Sequence, residues 1–466
     1  MIVFKNVIYQ VLGKIVSMVA TAVGVSLIAK TLGVEFYGQY IFVITFLAIF
    51  FTFSDWGINT VVVKELSGQK QISTEYFTKV FITRVLFAIL ICLLAFLTSV
   101  LFQLSKEVMI GVLVGLPMIL GYTVNSTASI IFQAQLKYKF DFIIKAVYSG
   151  VSLLALYTVL TNTSSVWIII STSVLAWLIS SFFSIYFIKD YLELKFLKID
   201  YKFSKTLIIL ALPIGIALII NTLLSQIDKL IIPSLLDFRQ AGYYGLSYKG
   251  FEFLLVFPTF FVNSIFIILA NKLYNKKVFD SSVKILIFTS IVLTFFSIVF
   301  ASNIIRVLSS QDFSNSILPF QVLSLGLLIF FITALLRLQL IVEKKESLFF
   351  YIYFSSFILN LILNILLLPS IGIIGASFAT ILSEILVLIL MIKEVQIVVI
   401  TKSMLFYINK VVLVCLLAFL PAVFISISSV ILKLILTTVL LVIFAYAFGL
   451  TRQIITMLKS IEKIAN

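Results

Sequence analysis

Apolar runs of about twenty residues recur along the whole chain, separated by short breaks that contain charged residues, Gly or Pro. This is the length that an α-helix needs to cross the hydrocarbon core of a bilayer. A membrane barrel would instead show alternating strands of about ten residues. The pattern predicts an all-α polytopic membrane protein with fourteen transmembrane helices, at 7–29, 40–63, 77–102, 108–134, 143–161, 165–188, 205–232, 247–271, 283–306, 316–342, 348–368, 372–393, 404–425 and 431–450.

Composition supports this prediction and narrows the chemistry. Of the 466 residues, 62% are apolar and only 11% are charged, and the mean hydropathy is +1.23. A soluble enzyme or a disordered chain would carry about a quarter charged residues or more. The chain has no His, which excludes His-ligated metal sites and His-dependent catalytic triads. Cys92 and Cys415 lie in separate apolar helices, so we expect neither a disulfide, a metal site nor a cofactor.

The excess of basic residues is explained first by topology. Lys and Arg number 34 against 19 Asp and Glu, a formal charge of +15. With a cytoplasmic N-terminus, 27 of the 34 fall on the cytoplasmic side of the predicted helices and seven on the outside. We therefore expect both termini in the cytoplasm and no nucleic-acid partner.

An internal duplication organises the helices. At an offset of 204 residues, the Gly-x-Tyr that starts at Gly38 meets the one at Gly242, and Gln135-Leu136 meets Gln339-Leu340. Six helices per repeat is an even number, so the repeats are parallel and enter the membrane from the same side. We expect a V-shaped pair of lobes around a central cavity, as in a transporter. The predicted division is 1–200, 201–400 and an appended segment at 401–466, which holds helices 13 and 14 and a cytoplasmic tail.

Polar side chains recur at helical spacing inside two corresponding helices. They are Gln10, Lys14, Ser17 and Thr21 in helix 1, and Asn221, Ser225, Asp228 and Lys229 in helix 7. One interpretation is a polar cavity wall; the other is that small and hydroxyl residues only pack helices together. Lys14 is harder to explain by packing, although its stem can extend toward the headgroups.

Buried charges are the candidate binding and coupling groups. Arg84 and Arg337 lie at similar depth, either lining a cavity that attracts a phosphate or extending toward the headgroups. Near the outer face, Lys229 and Lys249 are candidates to receive the same phosphate. The alternative is that these lysines only balance Asp228 or Glu252. Without His, carboxylates are the natural carriers of a coupling H⁺ or Na⁺. The candidates are Asp55, Asp228 and Glu384, although Asp55 alternatively caps a local break before Trp56-Gly57.

Several motifs resemble a known family of polysaccharide flippases. They are AKTLGVEFYGQY at 29–40, FSDWGIN at 53–59, LPI at 212–214 with QIDKL at 226–230 and GYY at 242–244, and PSIGIIGAS at 369–377. In combination they are similar to the Wzx-type flippases of lipid-linked oligosaccharides, within the multidrug/oligosaccharidyl-lipid/polysaccharide exporter superfamily. Lys30 stands where many relatives carry Arg, which leaves the role of that position open.

The resemblance implies a protein of the bacterial cytoplasmic (inner) membrane. It would move undecaprenyl-pyrophosphate-linked repeat units outward for O-antigen, lipopolysaccharide or capsule synthesis, coupled to H⁺ or Na⁺ and beside the polysaccharide polymerase machinery and membrane lipids. The family's cationic lumen corresponds most naturally to Lys14, Arg84 and Arg337.

Other classes fit less well. A membrane O-acyltransferase needs a catalytic His, polymerases carry a long outer loop, and a primary pump needs a P-loop, none of which the sequence contains. A multidrug exporter of the same superfamily should have an acidic rather than a basic cavity. A lipid II flippase remains an alternative, because fourteen helices fit that branch of the superfamily.

Overall fold

A computed structural model describes residues 2–465, apart from 70, 103, 161–164, 197, 272–275, 344, 346, 396–401 and 425–428. The described residues are helical, with three short 3₁₀ turns and no strand. The α-helices are α1 Ile2–Asp55, α2 Ile58–Leu66, α3 Thr74–Leu101, α4 Lys106–Gly115, α5 Pro117–Ala134, α6 Tyr138–Leu160, α7 Val166–Ile188, α8 Tyr201–Leu235, α9 Phe238–Leu254, α10 Val256–Asn271, α11 Lys276–Val299, α12 Ala301–Leu308, α13 Ile317–Leu325, α14 Leu327–Val342, α15 Leu348–Ile371, α16 Ile373–Val395, α17 Lys402–Phe424, α18 Val430–Ala447 and α19 Leu450–Ala465. The prediction of an all-α multi-pass membrane protein is confirmed.

The predicted spans all fall on helices, but several are bent or broken for identifiable reasons. Gly33 has φ 73° and ψ 172°, so α1 bends between predicted helices 1 and 2. Trp56 and Gly57 both have positive φ and separate α1 from α2 inside predicted helix 2. Pro117 begins α5 directly after a break, because proline lacks the N–H that would continue α4. At Gly326, α13 and α14 meet at 46°.

The number of membrane crossings differs between pattern and structure. Eleven helices of the described chain are long and apolar enough to span a bilayer, or twelve if the bent pair α13–α14 is one span. Two predicted spans fall in the single stretch Ile8–Asp55, and the region of predicted helix 8 is divided between α9 and α10, of 17 and 16 residues. Fourteen crossings with both termini in the cytoplasm therefore stay a prediction.

The chain forms two compact units. The first contains Met1–Gly242 with Leu308–Asp312, and the second Tyr243–Val307 with Phe313–Asn466. Helix α8 belongs to the first unit and packs against α1 and α2. In the second unit α14 packs on α16, and α11 on α17. The division of the sequence at residues 200 and 400 stays a prediction.

Two apolar cores hold the first unit together. One lies between α1, α3, α4, α5 and α7 and includes Phe46 and Ile170. The other lies between α2, α3, α5, α6 and α8 and includes Val62 and Leu207. The polar side chains described next lie on the helices that form these cores.

Candidate functional site

A cavity of about 320 Å³, lined by several polar residues, lies inside the first unit, among α1, α2, α5, α6 and α7. Helix α5 supplies much of its wall, because Tyr122, Ser126 and Ser129 recur three or four residues apart and therefore share one face. The complete lining is Ser17, Asn59, Tyr122, Asn125, Ser126, Ser129, Asp141, Ile144, Lys145, Tyr148 and Trp177. The cavity thus combines amides, hydroxyls, aromatic rings and one acid–base pair.

Behind this wall lies a buried ion pair between Arg84 and Asp55. The Arg84 side chain is 0% exposed, and its Nη2 donates to Asp55 Oδ1 at 2.7 Å and to Ser126 Oγ at 2.8 Å. Among the described residues, the Nε and Nη1 atoms of the same guanidinium have no hydrogen-bond partner. Arg84 therefore does not extend to the headgroups; it lies inside the protein, with two unused donors.

The break at the end of α1 positions Asp55. It is the last residue of α1, and the positive φ angles of Trp56 and Gly57 turn the chain immediately after it. No side chain caps α2, whose first turn follows Gly57. The carboxylate thus pairs with Arg84, whereas the alternative was that Asp55 caps the break. Asn59, the second residue of α2, links the break to the cavity wall by donating to the Ser126 carbonyl at 3.2 Å.

A second charged pair lies in the cavity lining itself. Lys145 Nζ donates to Asp141 Oδ2 at 2.7 Å, and Ser129 Oγ donates to the other oxygen of Asp141 at 3.2 Å. The stem of Lys145 passes Gly13 of α1, where an added Cβ would lie 3.4 Å from Lys145 Cδ. This pair is not among the residues predicted from sequence, although Asp141 and Lys145 have the i, i+4 spacing of a helical ion pair.

Asn125 ties α5 to α7. Its Nδ2 donates to Ser180 Oγ at 2.8 Å, and Ser184 Oγ donates to its Oδ1 at 2.7 Å. The side chains of Tyr148 and Trp177 stand beside this network with ring centroids 4.7 Å apart. Asn125 is not among the predicted residues, although the polar stripe on α5 is a sequence signal of the same kind as those in helices 1 and 7.

The predicted stripe of helix 1 is brought to the cavity at one position. Ser17 lines the cavity, whereas Gln10, Lys14 and Thr21 are exposed. The hydroxyl of Thr21 donates to the Ser17 carbonyl at 2.8 Å, a bond within its own helix.

The predicted residues of helix 7 lie on α8. Asp228 and Lys229 are buried, and Asn221 and Ser225 are half-buried. The hydroxyl of Ser225 donates to the Thr222 carbonyl at 2.9 Å, in the local pattern expected of a packing residue.

Lys249 lies on α9 in the second unit and pairs with Glu252. The two charged groups are 2.6 Å apart. This pairing corresponds to the alternative interpretation of the sequence, in which Lys249 balances Glu252 instead of contacting a phosphate.

The second unit brings Arg337 and Glu384 into one cluster. Glu384 of α16 is buried and accepts a hydrogen bond from Thr333, which lies one turn before Arg337 on α14. The Arg337 guanidinium lies over the Tyr353 ring, 5.3 Å from its centroid, and its Nε has no hydrogen-bond partner. Asn360 donates to Ser383 Oγ at 3.1 Å beside them. Each unit therefore holds an arginine, fully buried at Arg84 and half-buried at Arg337, with at least one donor unpaired among the described residues.

Known structures share this arrangement of helices. The chain resembles an inward-closed structure of the lipid II flippase MurJ, with a TM-score of 0.77 and 16% identity over 95% of this chain and 99% of that one. It also resembles an inward-facing transporter of the multidrug resistance MATE family of the MOP superfamily, with a TM-score of 0.64 and 11% identity over 84% and 98% of the two chains. A third similar structure is a mutant of the Vibrio cholerae MATE transporter VcmN, with a TM-score of 0.58 and 14% identity over 85% and 95%. A search of curated proteins found no match.

The chain thus has the fold of these membrane flippase and exporter structures. Residues 3–269, more than half of the chain, match the family described as polysaccharide biosynthesis protein. The chain belongs to that family, and the resemblance to polysaccharide flippases is confirmed.

Proposed function

We propose that the protein flips undecaprenyl-pyrophosphate-linked oligosaccharide repeat units from the cytoplasmic to the outer leaflet of the bacterial inner membrane. The movement is ion-coupled alternating access and supplies O-antigen or capsular polysaccharide synthesis, beside the polymerase machinery. Family membership supports the class of substrate. The observation that carries the proposal is the buried guanidinium of Arg84, with two unused donors behind a polar cavity.

A guanidinium is suited to the diphosphate of such a substrate. It carries a permanent charge and a planar set of donors that matches phosphate oxygens. In the present conformation one of its nitrogens is occupied by Asp55. A proton or Na⁺ on Asp55 weakens that pair and frees the arginine for phosphate, which couples ion binding to substrate binding.

The second unit offers the matching chemistry. Glu384 is the proposed ion carrier there, and Arg337 is the cation that responds to its charge. Asp228, Lys229 and Lys249 are proposed to act in the outward-open stage. In the first unit, Lys14 lies one turn before Ser17, which lines the cavity, and it is proposed to contact the phosphate as the substrate enters. Among the lining residues, the aromatic faces of Tyr148 and Trp177 beside Asn125 are suited to the sugar rings.

The test separates transport from folding by changing both members of the pair. Arg84→Ala alone leaves Asp55 buried without its partner, so loss of export would be ambiguous. The double variant Arg84→Met with Asp55→Leu removes both charges and keeps the volume. We expect it to reach the membrane at normal levels and to export no surface polysaccharide in a strain that lacks its own flippase. Normal export by the double variant would refute the assignment of Arg84.

A lipid II flippase is the second candidate, supported by one observation. The MurJ structure aligns with 95% of this chain, whereas the MATE structures align with 84–85%, so the MurJ fold also accounts for more of the chain. The two functions are distinguished by complementation of two strains, one lacking a repeat-unit flippase and one depleted of its lipid II flippase. We expect rescue of the first. Rescue of the second alone would transfer the proposal to lipid II, and drug resistance without either rescue would favour a multidrug antiporter.

A further inference from the structure

A second cavity, of about 470 Å³, lies in the second unit where α11, α17 and α19 meet. Three cations enter it from the three helices: Lys284, Lys410 and Arg452. Lys284 and Lys410 each lie eight residues after the first residue of their helix, and Arg452 lies in the first turn of α19. The three positive groups therefore converge at one end of the three helices.

Within the described residues, no acidic side chain balances the charge in this cavity. The lining contains no carboxylate, and none of the three cations forms an ion pair with any residue in the described part of the chain. Three like charges around one cavity repel each other, and the repulsion grows as water is excluded. An anion that enters the cavity removes this repulsion.

The surroundings of the cavity are apolar, which identifies the kind of anion. Phe406 lines it and is 71% exposed. On α19, Ile455 and Leu458 are 53% and 48% exposed, while Arg452 and Lys459 lie among the polar residues of the same helix. An amphipathic helix with exposed apolar side chains and basic polar ones is typical of the membrane interface. A soluble anion would leave these apolar side chains in water, whereas a lipid covers them with acyl chains.

The predicted topology places this end of the helices in the correct leaflet. The starts of predicted helices 9 and 13 and the end of helix 14 are all cytoplasmic. The cytoplasmic leaflet carries the anionic lipids, and basic pockets between helices on that side bind their headgroups.

We propose that Lys284, Lys410 and Arg452 form a binding site for the phosphate headgroup of an anionic phospholipid, whose acyl chains lie along α17 and α19. The site is separate from the Arg84 cavity, and the lipid is a resident partner rather than the transported substrate.

The experiment is a lipid titration of the purified full-length protein followed by native mass spectrometry. The probes are phosphatidylglycerol, phosphatidylcholine, undecaprenyl diphosphate and inorganic phosphate. We expect preferential binding of one phosphatidylglycerol, and a loss of affinity on the order of a hundredfold in Lys284→Gln with Lys410→Gln and Arg452→Gln, from three cations of about fivefold each. The control variant replaces the exposed Lys64, Lys139 and Lys202 by Gln and should bind phosphatidylglycerol normally.

Each other outcome overturns the proposal. Equal binding by the cavity variant and the unmodified chain would exclude this site, and equal binding of phosphatidylcholine would exclude headgroup recognition. Displacement of the lipid by millimolar inorganic phosphate would identify a site for free phosphate. Preferential binding of undecaprenyl diphosphate would make the cavity a substrate site. Gel filtration and a melting curve show whether the cavity variant is folded. The readout is independent of transport, so its failure does not affect the proposed flippase function.

Discussion

At Arg84, the hydrogen bonds are distributed unevenly over one guanidinium group. Nη2 donates twice, to Asp55 and to Ser126, whereas Nε and Nη1 donate to nothing although the side chain is fully buried. Burying charged donors without partners is costly, and an apolar residue of similar volume would avoid that cost. The pair is therefore a weak source of stability, which agrees with the transport role proposed for Arg84 above.

The first prediction concerns the stability of this pair. Asp55→Asn leaves the Arg84 charge buried without its counterion, and we expect a loss of about 3–5 kcal/mol. The double variant Arg84→Met with Asp55→Leu should be nearly as stable as the unmodified protein, because it removes both charges. Melting curves in detergent measure both. Equal loss in the single and double variants would show that the site depends on the particular side chains rather than on their charges.

The second prediction concerns the pair that our sequence analysis missed. Lys145 is exposed and pairs with Asp141 across one helical turn, so Lys145→Ala should change stability by less than about 1 kcal/mol. Because Lys145 lines the polar cavity, the same change should lower polysaccharide export several-fold. Lys139→Ala is the matched control, since it removes an exposed lysine from the same helix outside the cavity. Equal export by the two variants would remove Lys145 from the transport path.

At the scale of elements, the duplicated Gly-x-Tyr motif has a structural explanation. A Cβ on Gly38 would lie 1.8 Å from the Phe238 carbonyl oxygen, and one on Gly242 would lie 2.2 Å from the Val34 carbonyl oxygen. The two glycines allow α1 and the start of α9 to approach with their backbones in contact. Both copies of the motif therefore place a glycine where α1 and the start of α9 cross, because a larger residue at either position would collide with the other backbone.

Alanine at either glycine should separate the two segments. We expect Gly38→Ala and Gly242→Ala to destabilise the protein by more than about 1–3 kcal/mol, the range for overpacking, because backbone atoms cannot move aside as a side chain does. Gly150→Ala is the control. It lies inside α6 with nothing within 4 Å of the added Cβ, so it should be neutral or slightly stabilising. Melting temperatures compare the three, and a tolerated Gly38→Ala would contradict the close approach.

The linker between α7 and α8 is held to α3 by carboxylates that titrate. Glu193 pairs with Lys195 and accepts from Thr74, and these contacts lower the pKa of its carboxyl. Asp200 accepts from the backbone N–H of Phe203 and pairs with Lys79, which lowers its pKa likewise. Both groups are at the surface, where the contacts respond directly to pH.

We expect the linker to loosen when the carboxyls of Glu193 and Asp200 lose their charge, because folding lowers the pKa of both groups. A carboxyl whose pKa is lowered by folding stabilises the folded chain fully above its usual pKa, and the contribution is lost as pH falls through the lowered value. We expect Glu193→Gln with Asp200→Asn to lower the hydrogen-exchange protection factors over 189–200 at pH 7, and acid to lower the same protection factors in the unmodified chain. Glu107→Gln, an exposed carboxyl on α4, is the control. Unchanged exchange in the double variant would show that the linker is held by other contacts.

How far the sequence predicts this structure depends on the signal that each part leaves in it. Apolar runs locate the helices well, since burial in hydrocarbon requires them. The break after Asp55 and the pairing of Asp55 with Arg84, 29 residues away, leave no periodic signal, because they depend on how α1 and α3 cross. Ser17 was predicted from a helical stripe and does line the cavity, whereas Lys14 on the same stripe is exposed. Spacing thus identifies a face, but not how far the neighbouring helix covers it.

At the scale of the whole molecule, the bend at Gly33 is one of the places where the number of crossings is open; another is the region of α9 and α10. If predicted helices 1 and 2 cross separately, position 30 lies outside and position 64 lies in the cytoplasm. In a background of Cys92→Ala and Cys415→Ala, we expect Lys30→Cys to react with a membrane-impermeant maleimide on intact cells. Lys64→Cys should react only after permeabilisation. If both positions react from outside, or neither does, the two ends of this segment lie on the same side of the membrane. The first repeat would then not have six crossings, an even number, as predicted. Because that parity makes the repeats parallel, the same labelling tests whether the substrate path lies between two halves of like orientation.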